Sequence, residues 1–373
     1  MQDSSDKLSN RKALESNRFF STLSQSEATE RKQWIDFLRG ICMLMILLFH
    51  TEMHYNGEDI IPYNIYIPNA LTMFFFLSGY LFLKEHQTFN LRRKLISIIR
   101  YLLLPYFIFT LIFAFPKAVV HDADIADTFM KILTGDASWF VSTLIVTEFL
   151  FSFILWKTKG KTIPLSIVCI SLFIVSFVFN NKYHIISTEN IPNQWNWQSA
   201  LFILIFLYLG YIYHKYEKYF HLNTLLYIIP LIILFIIIKI YIYGDNEYQM
   251  NMVPFIISNI PLFLSDCILS IIILIQIAKG YGFPNIARQP VEWRLKVIKT
   301  INWTGSHSLV YYFICGGIPV IVGKIFNIII PYNGNYLLIV LAFIIVYALT
   351  TAITWIIYRY FPFIVGKSKK LAV

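Results

Sequence analysis

A chain of 373 residues that is 57% hydrophobic, 17% aromatic and only 14% charged is not a soluble domain, which carries nearer a quarter charged residues. Apolar residues come in blocks of about twenty, enough to cross roughly 30 Å of hydrocarbon as helix. The expected class is an all-α polytopic membrane protein, and the net charge of +10 needs no nucleic-acid partner if it faces a membrane.

Residues 1–33 are polar and Ser-rich with scattered charges and no apolar core of signal-peptide length. They read as a disordered cytosolic tail, with room for a short amphipathic helix around Phe19 and Phe20. A membrane domain is expected over 34–357, followed by a short basic cytosolic tail, 358–373. Ten spans are expected: 34–53, 64–83, 95–115, 139–156, 164–179, 198–213, 224–243, 253–277, 306–323 and 335–357. With the amino terminus inside, the outer loops keep only Lys117, Lys131, Lys182 and Lys324 of the 31 Lys and Arg. Arg39, Arg100 and Lys239 fall within spans, and the rest lie on the inner side. This asymmetry puts both termini in the cytosol and the chain in the cell (inner) membrane, its positive charge toward the anionic leaflet. Cys42, Cys169, Cys267 and Cys315 all fall inside spans, so they read as apolar packers, not as a disulfide or zinc framework.

The first span, WIDFLRGICMLMILLFH (34–50), carries Asp36, Arg39 and His50. Asp36 and Arg39 share a helical face. His50 follows Arg39 by eleven residues, about three turns and about 16 Å of rise. One polar stripe therefore runs from the inner end to the outer end. An ionisable group in a span costs roughly 2.5–3.5 kcal/mol on insertion scales and normally faces a bundle interior or a water-filled cavity. From the residues alone the stripe reads equally as an interfacial Asp–Arg pair with His50 at the far water boundary. His50 and His54 are four apart, but HTEMH lacks the order of a metalloprotease helix, and no metal is expected.

Five stretches in chain order carry a resemblance. IDFLRGICMLMILLFH (35–50) has an acid, Leu-Arg-Gly and an Arg-x10-His spacing. MFFFLSGYLF (73–82), RRKLISIIRYLLLPY (92–106), SWFVSTLIVTEFLF (138–151) and TGSHSLVYYFICG (304–316) follow it. Together they resemble the membrane acyltransferase-3 family over about residues 34–357. Two departures stand out. The family's two arginines three apart before the third span are replaced here by Arg92, Arg93, Lys94 and Arg100, with Ser97 at the other place. Its late Tyr block often ends in His, where this chain has Cys315.

The resemblance implies transfer of an acyl group, usually acetyl, from cytosolic acyl-CoA to a hydroxyl of a cell-envelope glycan or lipid-linked sugar. Arg forks grip phosphate bidentately, so Arg39, Arg92, Arg93 and Arg100 are the expected CoA-binding residues. Arg93 and Arg100, seven apart, are expected on one helical face. His50 is the expected general base, since a neutral imidazole can take the proton of an attacking hydroxyl. Asp36 is expected to fix Arg39. Glu148, an acid in the middle of a span, is a further catalytic candidate. Ser78, Trp139 and Tyr311 are expected to line the substrate cavity. Asp266 and His307 are weaker candidates, and the acidic loop 116–138 reads as solvated. The competing class is a transporter or flippase of lipid-linked sugars, against which stands the lack of paired Gly/Pro-broken spans in corresponding halves.

Overall fold

The computed structural model describes residues 33–83, 88–121, 124–180, 193–220, 225–253, 255–280 and 292–367. The expected tails, apart from Gln33 and residues 358–367, and Asp122 of the acidic loop lie outside the described residues. Helix α1 (Gln33–Asn56) leads into α2 (Tyr63–Tyr80), α3 (Leu91–Ile98) and α4 (Leu104–His121), the last two joined by a π-helical turn at Ile99–Leu103. A short α5 (Ile125–Thr134) precedes α6 (Trp139–Lys157), α7 (Thr162–Ser176), α8 (Trp197–Tyr216) and α9 (Leu225–Gly244). An antiparallel hairpin, β1 (Met250–Asn251) and β2 (Ile256–Ile257), comes next. Then follow α10 (Ile260–Gly280), α11 (Glu292–Ser306), α12 (Ser308–Cys315), α13 (Ile318–Ile329) and α14 (Tyr336–Tyr360).

Seven of these units are long and apolar enough to cross a membrane, eight if the pair α12 and α13, bent by 46°, counts as one broken span. Each of the ten expected segments overlaps a described helix, but α2 and α9 fall short of that test. In α2 the reason is visible. It is the hub of the bundle, buried at nearly every position from Ile67 to Tyr80, so it meets protein and tolerates Asn64 and Asn69. The expected span 253–277 begins too early, because residues up to Ile257 form the hairpin and α10 starts only at Ile260.

Glycines set the helix spacing around the hub. A Cβ at Gly79 would sit 1.8 Å from the Leu207 carbonyl oxygen, and one at Gly210 would sit 1.9 Å from that of Phe76. The backbones of α2 and α8 therefore touch, the close approach that small residues permit between membrane helices. The α1–α11 crossing uses the same device. A Cβ at Gly40 would be 2.1 Å from the Ile301 oxygen, and one at Gly305 would be 1.7 Å from that of Asp36.

The ends of the bundle are fixed by polar contacts. At the amino-terminal end of α1, the Trp34 and Tyr80 rings meet edge to face at 5.1 Å. The Tyr80 hydroxyl donates to Glu217 at 2.7 Å, which pairs with Lys279. At the opposite end, buried Glu52 accepts the Ile60 and Ile61 N–H groups at 3.2 and 3.1 Å and the Tyr336 hydroxyl. That carboxylate ties down the turn between α1 and α2 and the start of α14. The acids of the 116–138 loop also have local duties. Asp124 caps α5, Asp127 pairs with Lys131 at 2.6 Å, and Asp136 accepts from Thr134.

Candidate functional site

Two cavities open at opposite ends of the same helices. The first, about 210 Å³, lies at the carboxy-terminal end of α1 and the starts of α2 and α6. His50 and Ile46 enter it from α1, Tyr63, Ile67 and Leu71 from α2, Trp139 from α6 and Tyr312 from α12. Asn251, Met252 and Val253 of the hairpin close it. The hairpin is held there by side chains that satisfy its backbone. Asn180 donates to the Ile257 carbonyl at 2.9 Å and accepts its N–H at 3.2 Å. Ser199 donates to the Met252 carbonyl, and Asn64 to that of Tyr248. The His50 ring lies parallel to that of His54 at 6.1 Å and edge-on to Phe49 at 5.5 Å.

The helix period carries this site back toward the other end. Arg39, Met43, Ile46 and His50 follow one another on one face of α1, with Met43 and Ile46 buried between the two polar ends. Arg39 lies within electrostatic reach of Asp36 and of Glu148. Glu148 is not the unpaired acid of the sequence reading. It is 6% exposed, its Oε2 pairs with Lys94 Nζ at 2.9 Å, and its Oε1 accepts the Ser78 hydroxyl. Ser78 thus serves the carboxylate and does not line the His50 cavity.

The second cavity, about 920 Å³, lies between the end of α2, α3 and the end of α6. Its wall carries Arg93, Lys94, Lys157 and Lys159, with Trp156 and Tyr211 beside them. Of the four expected phosphate ligands it gathers only Arg93. Arg92 is exposed on α3 outside the cleft wall. Arg100 sits in the π-helical turn and donates through Nε to the Gly366 carbonyl at 2.6 Å. The expected shared face of Arg93 and Arg100 is lost because the wide turn interrupts the α register and the carboxy-terminal segment captures the second guanidinium. Asp36 lies near that segment as well. Lys367 packs over Tyr358 at 4.7 Å, and burial lowers its pKa from the ordinary lysine value while Asp36 opposes the shift.

Tyr311 is also displaced from its expected place. It is fully buried, its hydroxyl is 2.6 Å from that of Thr351, and its ring meets Trp303 and Tyr347. The cavity is lined instead by Tyr312, one residue and 100° further round the helix. His307 stacks on Trp303 at 4.4 Å at the joint of α11 and α12, away from both cavities. Asp266 is fully buried with Lys239 Nζ 2.7 Å from its Oδ2, and Asn69 bonds both partners. Among the described residues no group of three His, Cys, Asp or Glu is placed to hold a metal ion.

A family model described as an acyltransferase domain matches residues 32–359. The chain belongs to the acyltransferase-3 family. No curated protein and no solved structure gives a significant match to it. The apolar helices make it a multi-pass membrane acyltransferase. Within this acyltransferase, sequence reasoning brought His50 and Trp139 to one cavity and Arg39 beside Asp36. It named Lys94 only among the bases before the third span and passed over Lys157 and Lys159, because it sought forked arginines for phosphate. It also passed over the hairpin, whose only signal is the polar DNEYQMN run (245–251) interrupting two apolar blocks.

Proposed function

We propose that this acyltransferase moves an acetyl group from cytosolic acetyl-CoA to a hydroxyl of a cell-envelope glycan or lipid-linked sugar. The observation that carries this reading is the pair of cavities at opposite ends of α2 and α6, with His50 lining one and Arg39 of the same α1 face within electrostatic reach of Glu148, which pairs with Lys94 on the wall of the other. The basic cleft suits the phosphates of CoA, with four cations and an indole for the adenine. The orientation that puts most Lys and Arg inside also turns this cleft to the cytosol. The pantetheine arm is an extended chain about as long as the 16 Å rise from Arg39 to His50. It would pass Arg39, which lies within electrostatic reach of Asp36 and Glu148, and bring the thioester to the smaller cavity.

There the acceptor hydroxyl attacks the thioester carbonyl carbon while the His50 imidazole takes its proton. The C–O bond forms, the C–S bond breaks, and the imidazolium returns the proton to the leaving CoA sulfur. Trp139, Tyr63 and Tyr312 offer donors for the developing oxyanion. The 210 Å³ cavity has room for a short acyl group beside a sugar hydroxyl, which favours acetyl over long chains.

The test uses purified protein in detergent, acetyl-CoA and an envelope-glycan fraction, with thiol release and glycan O-acetylation followed by mass spectrometry. Acetylated glycan that requires both acetyl-CoA and His50 is the expected result. A protein that never consumes acetyl-CoA, with any acceptor, sinks this reading and leaves a transporter of lipid-linked sugar.

A further inference from the structure

The basic cleft and the buried carboxylate share one side chain. Lys94 lines the cleft beside Arg93, Lys157 and Lys159. Its ammonium lies 3.8 Å over the Phe82 ring on the cleft wall and 2.9 Å from Glu148 Oε2. The side chain of Lys94 is 23% exposed, and that of Glu148 is 8% exposed. The second Glu148 oxygen takes the Ser78 hydroxyl. Arg39 lies within electrostatic reach of the same carboxylate. Glu148 therefore stands between two cations, one facing the cleft and one on the α1 face that leads to His50.

We propose that Lys94 couples occupancy of the cleft to Glu148: a phosphate entering the cleft draws the ammonium off the carboxylate, and Glu148 turns its charge onto Arg39. Lys94 and Glu148 are positioning residues in this account, and Arg39 is what they position. The coupling rests on the acyl-CoA reading above and adds to it an order of events, since the core is set for transfer only after the cofactor docks.

The physics favours lysine at this place. An ammonium on a flexible four-carbon stem can swing between two anions, where a planar guanidinium forked onto a carboxylate would stay. A ligand shifts a conformational equilibrium only through contacts that differ between the two states. Here the phosphate competes with the carboxylate for Lys94, so its contact is stronger once the ammonium has left Glu148.

Coupling of this kind is reciprocal. If CoA loosens the Lys94–Glu148 pair, then neutralising Glu148 must tighten CoA. A carboxylate one ammonium away from a phosphate also repels it directly, and the two effects have the same sign. Glu148→Gln is therefore expected to bind CoA about tenfold more tightly than wild type while losing acyl transfer. Lys94→Met is expected to bind it about tenfold more weakly. A catalytic carboxylate with no link to the cleft would lose transfer and leave CoA affinity unchanged.

Isothermal titration of CoA into the detergent-purified full chain reads these affinities, with acyl transfer measured on the same preparations. Tighter CoA binding with lost transfer in Glu148→Gln, together with weaker CoA binding in Ser78→Ala, where the carboxylate keeps its charge, supports the coupling. Unchanged or weaker CoA binding in a folded Glu148→Gln overturns it. If Glu148→Gln does not fold, Ser78→Ala reads the same link with opposite sign. A carboxylate deprived of the hydroxyl holds Lys94 harder, so CoA binds several-fold more weakly, and an unchanged affinity overturns the coupling. A wild-type protein that binds no CoA overturns the acyl-CoA reading itself, an outcome distinct from wild-type binding with unchanged variants.

Discussion

Lys239→Met is the sharpest test of how the bundle is held together. Lys239 on α9 and Asp266 on α10 pair at 2.7 Å, with side chains 13% and 0% exposed. Asn69 on α2 donates to Asp266 Oδ2 at 2.9 Å and accepts from Lys239 at 2.7 Å. These three residues join α9 and α10 to the hub. Replacing the lysine leaves a carboxylate with no access to water and one amide for a partner. Breaking one side of a buried pair costs about 3–5 kcal/mol, whereas removing both charges is often close to neutral. Lys239→Met alone is therefore expected to lower stability by about 3–5 kcal/mol, and Lys239→Met/Asp266→Asn to regain most of it. Equilibrium unfolding in mixed micelles with increasing dodecyl sulfate reads both. A single variant within about 1 kcal/mol of wild type, or a double variant no better than the single, would mean that the buried pair does not hold these helices together.

Three further outcomes follow from the geometry. Gly210→Ala places a Cβ 1.9 Å from the Phe76 carbonyl oxygen, so α2 and α8 must separate. A loss of about 2 kcal/mol or more is expected in the same unfolding assay, whereas Gly244→Ala, which meets nothing within 4 Å, should be nearly silent. Tyr312→Phe should lower acyl transfer at least tenfold, more than the loss of its contacts with Ser138 and the Phe140 backbone accounts for, because Tyr312 lines the His50 cavity. Tyr311→Phe should do the reverse, losing about 1 kcal/mol with its Thr351 contact and keeping the activity per folded protein. Asn180→Ala frees both hydrogen bonds of the Ile257 backbone. Hydrogen exchange is expected to rise across residues 250–257, together with a higher KM for the acceptor and an unchanged one for acetyl-CoA.

Much of the helix layout was legible because a bilayer imposes long apolar blocks, and the period of 3.6 places Arg39 and His50 on one face without any tertiary information. What was not legible depends on which helices meet. Glu148 reads as an unpaired acid until α3 is laid against α6 and Lys94 reaches it. Lys239 is only a base within a span until α10 supplies Asp266. Tyr311 and Tyr312 are adjacent in an apolar run, and only packing against α14 decides that the first is buried and the second lines the cavity. Arg93 and Arg100 fit one face on a regular helix, and a π-helical turn that leaves no mark in the apolar sequence separates them. The hairpin at 250–257 was absorbed into a span because its residues are nearly as apolar as the helix that follows.

In the proposed reaction acetyl-CoA reaches His50 from the cytosolic side and the acceptor reaches it from the opposite side of the membrane. Oriented proteoliposomes test it in one measurement: acetyl-CoA is supplied on the side of the basic cleft, and a membrane-impermeant glycan acceptor on either side in turn. O-acetylated glycan is expected only when the acceptor lies across the bilayer from acetyl-CoA, and none with His50→Ala. Product formed equally well with both substrates on the cleft side, or surviving in His50→Ala, would contradict it.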